Sequence, residues 1–257
     1  MQLERRRFLT TLLAVPLLRT SDVPTRQAKV MRLFKSPDGH PNAMETTGEG
    51  LWIGEQTTDR AHLVSWQGRL LRTVETESSN TSGIAYGAGF LWMAANGKAI
   101  GRPPKLTDAT TGEVIKVDPA TGKTLARYPI PGGGGVHGLE FAEGTLWLTS
   151  LQLQKLSQVD PKDFRLMHQI PVHLSRAHGL AWDRGAIWCM HSNDRIIHKL
   201  DAKDGRILEA ITLSSQDPDP HGMCLYKGDL YYCDAGIAPP GIDSGSPTAG
   251  YICRIAL

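Results

Sequence analysis

Five aromatic residues, Trp52, Trp92, Trp147, Trp188 and Tyr231, stand 40, 55, 41 and 43 residues apart, and the segments leading to them are alike. Ten residues upstream of each stand Asn42, Ser82, His137, His178 and His221. His137-Gly-Leu leads to Gly144-Thr-Leu-Trp147, His178-Gly-Leu to Gly185-Ala-Ile-Trp188, and His221-Gly-Met to Gly228-Asp-Leu-Tyr231. A repeat of about 40 residues is the period of a four-stranded propeller blade, a unit that buries its apolar faces only by stacking on its neighbours. The count predicts an all-β fold, a five-bladed β-propeller of four-stranded blades.

Each unit reads as a strand after the stripe residue, a Gly turn, a second strand carrying the aromatic, a third strand, an Asp-centred turn and a fourth. Such turns are Asp118-Pro-Ala-Thr-Gly122, Asp160-Pro-Lys-Asp163 and Asp201-Ala-Lys-Asp204-Gly205. Aspartates at those offsets read as hairpin punctuation rather than ligands, and the large rings as filling between blades. The chain ends on Tyr251-Ile-Cys-Arg-Ile-Ala-Leu257 with no fourth strand after it, while Val30-Met-Arg-Leu-Phe34 belongs to no blade. The early strand is therefore expected to complete the last blade and remove the exposed sheet edges.

Residues 1–28 read as a twin-arginine export signal: Arg5-Arg6-Arg7-Phe8-Leu9 precedes a short apolar run around Leu12–Leu18. That run is too short for a stable membrane span. The expected address is the bacterial periplasm or the exterior, with the twin-arginine machinery as a partner and cleavage somewhere in residues 20–29. Residues 29–257 then form one domain of about 230 residues, expected to be a monomer. The whole chain carries a net charge of only +2 and residues 29–257 hold no basic run, so no nucleic-acid partner is expected. Cys189, Cys224, Cys233 and Cys253 fall in the last two units and read equally as a disulfide framework or as buried small hydrophobes.

Innermost strands of a propeller line its channel, so His137, His178 and His221 are expected to meet there as ligands of a divalent metal ion of unspecified identity. Three residues beyond the aromatics come Glu55, Ala95, Ser150, His191 and Asp234. The second strand runs back to the same mouth, which makes His191, Glu55 and Asp234 candidate proton movers. Asn42 and Ser82 complete the ring as substrate-binding residues. Two insertions, Asn96–Gly112 and Ala235–Gly250, are expected to overhang this face, with Lys98, Arg102 and Lys105 available for an anionic group.

The strand His-Gly-[Leu/Met] followed by Gly-x-[Leu/Ile]-[Trp/Tyr] resembles the repeat of the virginiamycin B lyase group within the wider YVTN and NHL-like propellers. That resemblance implies a magnesium-dependent elimination with a histidine base, although that enzyme has seven blades where this sequence has five units. The five-bladed plan is also similar to the glutamine cyclotransferase group, whose reaction implies a carboxylate at the mouth. Three functions follow as expectations: a metal-dependent lyase or hydrolase acting on a small molecule, a glutaminyl-peptide cyclotransferase working through Glu55 or Asp234, or a noncatalytic propeller that binds a ligand or protein.

Overall fold

The computed structural model describes residues 23–237 and 244–257. Most of the expected export signal, residues 1–22, lies outside the described residues, as does the middle of the second insertion. The described chain opens with β1 (Thr25–Gln27) and β2 (Val30–Lys35). Blade 1 follows as β3 (Pro41–Thr46), β4 (Leu51–Glu55), β5 (Ala61–Val64) and β6 (Leu70–Val74). Blade 2 is β7 (Thr81–Gly87), β8 (Phe90–Asn96), β9 (Gly112–Val117) and β10 (Thr124–Pro129). Blade 3 is β11 (Leu139–Ala142), β12 (Thr145–Ser150), β13 (Lys155–Val159) and β14 (Leu166–Pro171), with a single 3-10 turn at Leu151–Leu153. Blade 4 is β15 (Ala177–Asp183), β16 (Ala186–His191), β17 (Ile196–Asp201) and β18 (Ile207–Thr212). Blade 5 is β19 (Met223–Tyr226), β20 (Asp229–Cys233) and β21 (Tyr251–Ile255), and β2 closes it in antiparallel register with Val30 opposite Ile255. The five-bladed ring and its closure by the early strand are as the sequence predicts.

One strand was not anticipated. β1 lies parallel on the outer edge of blade 4, with Thr25 opposite Ala210. It occupies residues within the range in which signal cleavage is expected.

Turn chemistry accounts for the repeated glycines. Between first and second strands, Ala88-Gly89, Glu143-Gly144, Arg184-Gly185 and Lys227-Gly228 all have both φ values between 49° and 88°. Two consecutive positive φ values make the tight hairpin whose twist matches the strands, and glycine carries the second at no steric cost. The aspartate turns act as punctuation: Asp118 accepts hydrogen bonds from the amides of Ala120 (2.8 Å) and Thr121 (3.0 Å), and Asp160 and Asp201 repeat the contact two residues on.

The core is divided among the seams between blades. Trp52 packs with Ile84 and Met93, Trp92 with Leu139 and Leu148, Trp147 with Leu180 and Cys189, and Trp188 with Tyr232 and Ile255. The fifth seam joins Ile53 and Met44 to Cys224 and Ile252, with Tyr231 set edge-on to Trp66. Burying a ring of this size contributes roughly 4–6 kcal/mol as an upper bound, so the four tryptophans anchor four seams. All four cysteines are free and buried, which matches the reading as small hydrophobes.

Candidate active site at the channel mouth

The stripe residue sits where pairing of the innermost strand is irregular. The register slips between Pro41 and Ala43, between Thr81 and Gly83, and between Ala177 and Leu180, so Asn42, Ser82 and His178 are bulged. His137 and His221 precede the first paired residue of β11 and β19. A bulge re-aims a side chain that regular pleating would send into a seam.

Glycine after the stripe lets the blades close. A Cβ at Gly138 would lie 1.9 Å from the His178 carbonyl oxygen, and one at Gly83 would lie 2.0 Å from that of His137. The Gly179 amide donates to the His221 carbonyl oxygen at 3.2 Å. The His-Gly phrase thus joins two requirements: a side chain at the axis, and a bare backbone against which the next blade rests.

The three histidines come together as expected. Ring centroids of His137 and His178 are 4.4 Å apart, and those of His178 and His221 are 5.2 Å apart at nearly right angles. His178 and His221 are buried and His137 is partly exposed. Neither ring nitrogen of His178 has a hydrogen-bond partner, nor does His137 Nδ1. Burial disfavours the imidazolium form. Desolvation, followed by the nearby Arg176 charge, lowers the His137 pKa to about 3, and His178 is driven well below the usual histidine value. His221 is also lowered by burial, but Asp219 and Asp234 oppose the shift. Its Nδ1 faces the Asp219 carbonyl oxygen at 3.2 Å, and its Nε2 is 3.9 Å from Asp219 Oδ2.

The other members of the ring are differently engaged. Asn42 is buried and donates from Nδ2 to the Thr81 carbonyl oxygen at 3.1 Å, while Ser82 donates to the Val136 carbonyl oxygen at 2.7 Å. Glu55 is fully buried and accepts from the His40 amide at 2.8 Å and the Asp38 amide at 3.4 Å. Asp234, also fully buried, accepts from the Gly236 amide (2.9 Å) and the Thr248 hydroxyl (2.7 Å). Both carboxylates therefore hold loop backbone. His191 stacks edge-on with His198, at 4.9 Å between centroids, in the seam between blades 3 and 4. Arg102 is fixed between Asp59 (2.7 Å) and Asp108 (2.6 Å) and pins the first insertion to the turn after β4, while Lys98 is exposed.

Two mouth residues escaped the sequence reading. Two positions before the stripe stand His40, Asn80, Gly135, Arg176 and Asp219. Arg176 and Asp219 both act on the histidines from there. Three positions after the stripe stand Glu45, Ala85, Glu140, Ala181 and Cys224. Glu45 and Glu140 are buried; desolvation raises the Glu45 pKa to about 7, and desolvation followed by the neighbouring Glu45 raises Glu140 well above the usual carboxyl value. Both signals lie in the same repeat at a different offset.

His178 and His137 offer the unpartnered nitrogens that a divalent ion would need. Among the described residues, however, no three His, Cys, Asp or Glu side chains are arranged about a common point that would hold one. The described residues as placed do not fit the ion. No helix among the described residues is long and apolar enough to cross a membrane.

No family pattern matches the sequence, and no curated protein matches it. By structure it is similar to glutaminyl cyclase of Myxococcus xanthus, with a TM-score of 0.66 and 11% identity over 90% of this chain and 97% of that one. It is also similar to a streptogramin B lyase, with a TM-score of 0.52 and 12% identity over 90% and 98% of the two chains. Virginiamycin B lyase of Staphylococcus aureus aligns with a TM-score of 0.50 and 18% identity over 87% of this chain and 68% of that one. These likenesses establish a propeller fold that enzymes also use, in keeping with the resemblances read from the repeat.

Proposed function

We propose that this chain is an exported enzyme, a lyase or hydrolase acting on a small molecule at the histidine mouth, with His221 as general base. The observation that carries the reading is the convergence of three imidazoles from three blades. A useful base needs a pKa near the working pH. His137 and His178 are too strongly desolvated for that, whereas the acidic groups beside His221 partly restore its basicity. The neutral rings of His137 and His178 then act as hydrogen-bond donors to the oxygen on which negative charge develops, in a pocket whose low dielectric strengthens such bonds. The carboxylates a cyclotransferase would use, Glu55 and Asp234, are committed to loop amides and hydroxyls, which favours the imidazole reading. Export rests on the amino-terminal sequence.

The test is turnover of a panel of cyclic esters, linear esters and glutaminyl peptides by the wild-type chain and by His221→Gln, His178→Gln and Glu55→Gln. Loss of at least about a hundredfold in kcat is expected for His221→Gln, with Glu55→Gln folded and active. Activity should survive dialysis against a chelator; loss that magnesium or manganese restores would return the histidines to metal ligation. Cyclisation of a glutaminyl peptide that survives loss of His221 but not of Glu55 or Asp234 would establish the cyclotransferase instead. No turnover of any member would leave the noncatalytic binding propeller.

A further inference from the structure

We propose that the cavity between blades 3 and 4 receives an apolar substrate group whose attached carboxylate is taken by Arg176. The inference rests on the histidine mouth as the reacting centre and adds the class of molecule it serves.

The cavity measures about 250 Å³. Leu151, Val172, Leu174 and Ala177 supply apolar walls, and Arg176 and Lys155 bring two cations with no carboxylate in the lining. It adjoins the histidines through the chain itself, because Arg176 and Ala177 immediately precede His178, and Ala177 pairs with His191. A space of this size suits an aromatic ring or a short branched aliphatic group, and the half-buried Arg176 cation orients whatever anion the group carries.

Arg176 differs from every comparable arginine in the described chain. The other half-buried arginines are each paired with an acid: Arg26 with Glu209, Arg60 with Glu75, Arg102 with Asp59 and Asp108, Arg127 with Glu77 and Glu113, Arg195 with Asp219, and Arg254 with Asp229. Arg176 is half-buried too, yet among the described residues it meets only the amide oxygen of Asn193, at 3.1 Å. Its backbone is left-handed, with φ 49°, as is that of Gln154, also in the lining, with φ 51°. The charge also bears on all three imidazoles and disfavours their protonation. An anion seated on Arg176 cancels that effect, so the arriving substrate itself raises the basicity of His221.

The experiment uses binding rather than turnover, with 4-phenylbutyrate and its neutral amide, 4-phenylbutanamide, as calorimetric probes on the purified chain. The wild type should bind the acid at least about tenfold more tightly than the amide, the effect of one charge-assisted hydrogen bond. Arg176→Gln should abolish that preference and keep amide binding, Lys155→Met should keep the preference, and Leu174→Trp should weaken both probes by filling the space. Circular dichroism confirms that each variant is folded. Equal affinity for acid and amide in the wild type, binding of neither, or a preference that survives Arg176→Gln would overturn the proposal. His221→Gln should bind both probes normally, so a failure here leaves the imidazole reading standing, and a failure of turnover leaves this pocket standing.

Discussion

Gly138→Ala puts the link between ring closure and the site to a direct test. The added methyl would lie 1.9 Å from the His178 carbonyl oxygen and 2.9 Å from Leu180 Cγ. A carbon ordinarily comes no nearer to a carbonyl oxygen than about 3.3 Å, so blades 3 and 4 must part by roughly 1.4 Å at the axis. The His178 oxygen belongs to innermost-strand backbone, where no rotamer change relieves the contact. Overpacking of this kind costs about 1–3 kcal/mol, and a clash against backbone belongs at the upper end. For a domain of this size, 3 kcal/mol lowers Tm by about 6–12 °C. Gly48→Ala is the control, since a Cβ there meets nothing within 4 Å and its φ is not left-handed; its Tm should move by no more than about 2–4 °C, upward if at all. Thermal unfolding followed by circular dichroism reads both variants. If Gly138→Ala is folded and melts within about 2 °C of wild type, the blades do not rest on that glycine, and the account of the His-Gly phrase fails.

Three further outcomes follow from the charges. Asp219→Asn removes an anion that raises the His221 pKa, so the acid limb of the kcat/KM profile should move to lower pH and the plateau should fall; an unchanged profile separates Asp219 from the base. Glu45 has its pKa raised to about 7 by burial, so the stability tied to its protonated form is complete below the unfolded value near 4.5 and is lost as pH rises through 7. Glu45→Gln should accordingly stabilise the protein at pH 8 by about 3 kcal/mol and do little at pH 4, and an equal shift in Tm at both would refute the burial argument. Arg102→Met leaves the fully buried Asp59 without its cation, at a cost of about 3–5 kcal/mol, and Asp59→Asn added to it should recover most of the loss, as urea unfolding would show.

The sequence carries the ring because propeller packing writes itself at fixed offsets. The X-Gly hairpin, the bare glycine after the stripe and the ring-sized aromatic each answer a steric demand repeated from blade to blade. β1 answers no such demand: it is three residues added to an outer edge, with no pattern of its own. The triad was legible because one residue type recurs at one offset. The roles assigned to His191 and Arg102 depended on direction, which spacing does not specify. His191 ends its strand at the expected level but turns into the seam toward His198, and Arg102 is drawn back by Asp59. Arg176 and Asp219 went unread because the positions two before the stripe hold five different residue types, so no repetition marks them.

That variety bears on why histidine stands on the stripe at all. Ring closure asks only for a bulge and a following small residue, and blade 1 meets it with Asn42, blade 2 with Ser82, whose hydroxyl finds the Val136 carbonyl oxygen. His178 instead buries two ring nitrogens without partners, a state that opposes stability by about 1–3 kcal/mol for each group left unsatisfied. Its depressed pKa adds a second cost: the stability of the neutral form is present above the unfolded value of 6.5 and is lost as pH falls below it, because the unfolded chain takes up a proton that the folded one refuses. His178→Asn, which installs the residue already used at position 42, should therefore abolish turnover while holding Tm at pH 8 and raising it relative to wild type at pH 5. If the substitution lowered Tm equally at both pH values, the imidazole would be a packing element of the ring, and the case for a reacting centre at the axis would lose its energetic basis.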